Sequence, residues 1–258
     1  MSILSEDKPR TLAAPAGLFT ITLPSARAAV RTLAAVIVFL HLANMVRYVA
    51  YWKYGHGSWK GLLPLFNVDR EGNIPTLYSV LTLLASAVLA GLVAAREKHL
   101  GGRFWKHWVG IAAVFGYLAV DEGSGIHELA IPLGAFVSNT GIFFFAWIIP
   151  AAAVLLVLAV IYYRMIFSLP AWFRNLAIAS AAIFISGAMG LEMVAAPIFE
   201  LSGKNAEYQL ITAGEEFLEM SGVALWIYAL LRYLAARPAL VVALRFAPGA
   251  NKDSLTAN

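Results

Sequence analysis

Six stretches of the chain are apolar over about the 20 residues a helix needs to cross roughly 30 Å of hydrocarbon. They run from about Ala28 to Tyr51, Pro75 to Ala95, Trp105 to Leu133, Gly141 to Tyr163, Ala171 to Phe199 and Glu207 to Ala235. The pattern predicts an all-α fold, a polytopic membrane protein built as a six-transmembrane-helix bundle over 28–236. A cytoplasmic segment, 1–27, precedes the bundle, and a tail, 237–258, is expected to be disordered and cytoplasmic. The first apolar run is too long for the core of a cleavable leader and is read as a membrane span. Pro75 suits the first turn of the second helix, and Pro170 and Pro238 suit helix ends. Pro150 and Pro197 fall inside apolar runs and predict local kinks.

Composition strengthens this picture. The 258 residues are 60% hydrophobic and only 13% charged, against about 45–50% and about 25% in soluble domains. The net charge of +4 suits basic cytoplasmic loops rather than a nucleic-acid partner. With the N-terminus inside, fourteen of the Lys and Arg residues fall on the cytoplasmic side. Only Arg47, Lys53, Lys60, Arg70 and Lys204 fall outside, so both termini are expected in the cytoplasm. Trp105 and Trp172 then mark the inner interface, and Trp52 and Trp59 the outer one. The absence of cysteine excludes disulfides and iron–sulfur clusters. No span carries an interior lysine, which excludes a retinal Schiff base.

Against this apolar background the interior charges stand out. "VDEGSGIHELAIP" (120–132) holds Asp121, Glu122, His127 and Glu128, the fifth run holds Glu192, and "GEEFLEMSG" holds Glu215, Glu216 and Glu219. At 1.5 Å per residue, Asp121 lies roughly 24 Å from the inner surface, and the three glutamates of the last span lie about 12–18 Å below the outer one. His41 falls near the middle of the first span, below Asn44, Arg47 and Tyr48. Ionisable groups of four helices therefore share the outer half of the bilayer. At 100° per residue, Asp121, Ser124 and Glu128 share a face bordered by His127, while Glu122 points elsewhere. Tyr208, Thr212, Glu215 and Glu219 form one stripe with Glu216 beside it. Gly187 and Gly190, ahead of Glu192, would let a neighbouring helix approach closely. Each mid-bilayer carboxylate costs about 2.5–3.5 kcal/mol on insertion scales. Seven of them need protons, metal ions, water or a cationic ligand as compensation.

Three chemistries follow. The first is a metal centre in which Asp121, Glu122, His127, Glu128, Glu192, Glu215, Glu216, Glu219 and His41 hold iron, manganese or zinc. Such a centre would serve a carboxylate-bridged oxidoreductase or a hydrolase. The Glu-x-x-His spacing of di-iron bundles is absent, since Ser124 stands three residues before His127. His41 alone reads more readily as a packed histidine than as a ligand. The second chemistry is proton- or cation-coupled transport, for which Asp, Glu and His chains are the usual machinery. The inner halves of the spans are almost free of polar groups, so a site open only outward fits better than a through path. The third is a non-catalytic subunit of a membrane complex, with the charge-free fourth span as docking face. The loop "NVDREGNI" separately offers Asn67, Asp69 and Glu71 at the first three ligand positions of a calcium loop. Tyr78 stands where the closing glutamate belongs, and an Asx-type turn is the competing reading.

The combination of "LFNVDREGNIPTLYS", "AVDEGSGIHE" and "GEEFLEMSG" is similar to a family of multi-pass bacterial membrane proteins with no assigned activity, over Leu65 to Gly222. The resemblance implies that the three stretches form one site and a bacterial cytoplasmic (inner) membrane location, and it brings no mechanism. The histidines are too few for ceramidase-like hydrolases. Expected partners are the lipid bilayer and a small molecule or ion, with the oligomeric state left open.

Overall fold

A computed structural model describes residues 23–126 and 140–236. Helices account for all its regular structure among the described residues: α1 (Ala26–Tyr54), α2 (Ile74–His99), α3 (Trp105–Ser124), α4 (Ile148–Ser168), α5 (Ala171–Ile185), a π turn (Ser186–Leu191), α6 (Glu192–Ser202) and α7 (Ala206–Ala235). Five units are long and apolar enough to cross a membrane: α1, α2, α4, the continuous α5–α6 and α7. The 20-residue α3 is not among them, because Lys106 opens its apolar run and Asp121 and Glu122 close it.

Local signals set the helix starts. Ser25, Asn73 and Asn205 cap α1, α2 and α7, each side chain accepting a backbone N–H three residues on. Pro75 sits in the first turn of α2 as expected, where the missing N–H costs nothing. Two boundaries differ from the apolar pattern. Gly125, in the left-handed region at φ 60°, caps α3 at Ser124, well before Leu133. Gly141–Phe143 is a 3₁₀ turn and α4 begins at Ile148. Pro150 therefore lies in the first turn of α4, where no intrahelical bond is lost, and the predicted kink does not arise. Pro197 does fall inside α6, six residues beyond the π turn.

Helix α7 is the hub. Of its most apolar window 56% is buried, against 11% for α4, and it packs on α1, α2, α5 and α6. Its end nearer Ala235 is sealed by aromatic rings. Phe173 stands 4.8 Å from Tyr233 and 5.8 Å from both Trp108 and Trp226, and Phe115 stacks on Trp226. α1 contributes one narrow stripe, Ile37, Leu40, Asn44 and Arg47, while Phe39, Leu42 and Val46 point outward. α4 leaves Leu156, Val160 and Phe167 exposed, an apolar surface that lipid contact would satisfy. Gly187 is where close approach is needed: a Cβ there would lie 2.7 Å from the Glu215 carbonyl oxygen. Gly190 has nothing nearer than 3.9 Å, so only the first of the two glycines lets a helix in.

Candidate functional site

The opposite end of the bundle carries the 55–73 loop and is polar. The chain order brings the end of α1, the end of α3, the end of α6 and the start of α7 to this end. Two contacts tie it together. Lys204 Nζ donates to both Asp69 carboxylate oxygens at 3.0 and 3.1 Å, and the Glu71 carboxylate lies against Gly125, within 3.1 Å of where a Cβ would project.

Asp121, Glu122, Glu192, Glu215, Glu216 and Glu219 are all partly buried here. Glu215 lies within electrostatic reach of Glu192, Glu216 and Asp69. Glu216 is reached by Glu219, Glu122 and Asp69, and Glu219 by Glu215, Glu122, Glu192 and Asp121. Each of these neighbours is a carboxylate. Three helices and the 55–73 loop thus deliver negative charge to one place.

Glu122 joins the cluster, contrary to the expectation that it points elsewhere. Trp108, Phe115 and Ala119 turn the packed stripe of α3 toward α7, and the helical repeat continues that stripe to Glu122. Glu192 follows directly on the π turn and accepts a hydrogen bond from Trp147 Nε1 at 2.9 Å. The wide turn and the bare Gly187 let the backbone of Glu215 and the side chain of Glu219 lie against this segment. π turns recur at functional sites. On the α7 stripe, Tyr208 and Thr212 are buried. The Thr212 hydroxyl lies beside the Tyr208 phenol.

His41 lies level with the cluster and packs edge-to-face on Phe217 at 5.3 Å. Its Nδ1 is 2.9 Å from the Ile37 carbonyl oxygen and its Nε2 is 3.2 Å from that of Ala213. Neither nitrogen is turned to the carboxylates. His127 and Glu128 lie outside the described residues. Among the described residues no group of three or more His, Asp and Glu is arranged to hold a metal ion. The expectation of a preassembled histidine–carboxylate centre is not met there: the one described candidate histidine is set against backbone carbonyls, and the donors that remain are mutually repelling carboxylates.

The calcium-loop residues have other engagements. Asn67 Oδ1 accepts the Asp69 N–H at 3.2 Å, the Asx geometry of the competing reading. Asn73 Nδ2 ties the loop to the Asn67 and Arg70 carbonyl oxygens at 2.6 and 2.7 Å. Asp69 is given over to Lys204. Burial pushes the Asp69 carboxyl above the ordinary range, against the opposing pull of Lys204 and Arg47. The structure therefore places Asp69 and Glu71 over the cluster. Only their shared loop at the end where α3 and α6 finish and α7 begins could have signalled this in the sequence.

Comparison with known proteins adds one finding. The family described as a domain of unknown function (DUF8692) matches residues 29–233, and the chain belongs to it. No curated protein and no solved structure matches.

Proposed function

Since that family carries no activity with it, we propose from the geometry that this chain is an integral membrane protein that takes up protons or cations into an intramembrane carboxylate cluster. α3, about 30 Å long at 1.5 Å per residue, serves as the sixth span. The distribution of Lys and Arg favours the 55–73 loop outside and both termini in the cytoplasm, and the resemblance to bacterial multi-pass proteins favours a bacterial inner membrane. One observation carries the proposal: among the described residues, the groups that act on the Glu215, Glu216 and Glu219 carboxyls are other carboxylates. Such a group, withdrawn from water, is tolerated only with positive charge supplied from solution. The aromatic seal around Phe173 and Trp226 favours loading from the loop end and argues against a continuous pore.

A metal-centred oxidoreductase or hydrolase is the second reading. It uses the same carboxylates with His127 and Glu128, and Trp147 orients Glu192 as ligand carboxylates are commonly oriented. One experiment separates the two. Glu215→Gln, Glu219→Gln and the double variant are purified in nanodiscs, and proton release on adding sodium, potassium or divalent cations is titrated alongside elemental analysis. The proposal expects cation-dependent proton release in the wild type. Each single variant loses it, and the double variant is scarcely worse, because neighbours in one network are non-additive. Stoichiometric iron, manganese or zinc that disappears in both single variants would decide for a metal centre. Proton release untouched by either substitution would sink the shared cluster.

A further inference from the structure

Above the carboxylates, at the loop end, lies an open cavity of about 390 Å³ whose lining includes Arg47, Tyr51, Asp69, Arg70, Lys204 and Gln209. Its charge is opposite to that of the cluster: three cations against one carboxylate. Arg47 is 7% exposed, yet the acceptors it meets are neutral amides. Nε donates to Asn44 Oδ1 and Nη2 to Gln209 Oε1, both at 3.0 Å. Among the described residues no carboxylate stands within ion-pair distance of it. Asp69 acts on it from farther away and is itself bound through both oxygens to Lys204. A guanidinium is a planar fork of donors suited to two oxygens of one anion, and one this deeply set with only amide acceptors among the described residues lacks its usual complement there.

Position specifies the anion. Tyr51, Trp52, Tyr54 and Trp59 are exposed around this end of α1 and the loop after it. Exposed aromatic rings at the end of a span mark the headgroup level of a bilayer. A cationic cavity at that level, floored by a guanidinium, matches a phosphate group. We propose that this cavity is a phosphate-binding site: Arg47 receives two phosphate oxygens on the floor, and Arg70 and Lys204 close on the group from the rim. The same chemistry is offered by the phosphodiester of an anionic lipid and by free phosphate.

The test uses the full chain in phosphatidylcholine nanodiscs. In one arm inorganic phosphate is titrated against chloride at matched ionic strength. In the other, phosphatidylglycerol replaces part of the disc lipid. Melting temperature and tryptophan fluorescence, to which Trp52 beside Gln209 contributes, are read in both. A saturable rise in at least one arm is expected. Arg47→Gln should weaken the apparent affinity about tenfold or more, as for loss of a hydrogen bond to a charged group. Arg70→Gln, on an exposed rim residue, should fold normally, weaken it a few-fold and be partly rescued by Arg70→Lys. A response to phosphatidylglycerol alone assigns a lipid headgroup, and a response to phosphate alone assigns a free anion. No response beyond chloride in either arm, or a response unchanged in both Arg47→Gln and Arg70→Gln, overturns the site.

Discussion

The two ends of the bundle are built on opposite principles from the same helices. Toward the end of α7, Trp108, Phe173, Trp226 and Tyr233 fill space with rings, and stability there comes from area and close packing. Toward its start, the same helix presents Glu215, Glu216 and Glu219 to Glu122 and Glu192, an arrangement that weakens the fold unless solution supplies positive charge. A segment that lowers stability at a defined place is more informative about function than one that raises it. The aromatic end holds the helices in register so that the acidic end can be held together at all.

The contrast is broken most forcefully at the aromatic end. Phe173→Ala removes a fully buried ring and is expected to cost about 3–5 kcal/mol. Denaturant unfolding in detergent would show this, while cation-dependent proton release per folded molecule stays near the wild-type value. A smaller loss of stability accompanied by loss of proton release would mean that the two ends are not separable.

Gly187→Ala acts where the ends meet. Its methyl group would crowd the Glu215 carbonyl oxygen at 2.7 Å and Leu218 Cβ at 3.0 Å, so α7 must shift. A cost of about 1–3 kcal/mol is expected, with proton release impaired out of proportion to stability. Gly190→Ala, with nothing closer than 3.9 Å, is the matched control and should be near neutral in thermal melting. Equal effects at the two positions would remove the close-approach explanation.

The smallest effect concerns Asp69, outside the spans. Burial raises its carboxyl above the ordinary range, so the native state holds the proton more tightly than the unfolded chain. Its contribution to stability is then greatest at low pH and is lost as pH rises through the raised value. The melting temperature of the wild type relative to Asp69→Asn should fall slightly as the pH rises above about 4. Lys204 is half-exposed, and pairs of that kind contribute about 0–1 kcal/mol. An advantage that grows with pH would show the ion pair outweighing burial.

Much of this molecule is local and therefore legible along the chain. Long apolar runs specify helices whatever surrounds them, and the caps at Ser25, Asn73 and Asn205, like Pro75 in a first turn, act within four residues. The stripe Tyr208, Thr212, Glu215 and Glu219 follows from the helical repeat alone, and a count of apolar residues from one end is enough to put carboxylates of several helices at one depth. Rotation about a helix axis is another matter, because it depends on what packs against the helix. Glu122 joins the cluster because Trp108 and Phe115 lock α3 against Trp226, and no spacing within α3 could say so. His41 has the right depth for a ligand, but its ring nitrogens are set against the Ile37 and Ala213 carbonyls, and α7 supplies the second of these. Gly125 ends α3 because the chain there adopts a left-handed backbone that apolar periodicity does not register. The pairing of Lys204 with Asp69, 135 residues apart, and the cationic cavity beside it exist only because packing around α7 brings distant loops to the same end. The chain's own pattern determined that there are membrane-length helices with acids in them; tertiary contact decided which acids meet.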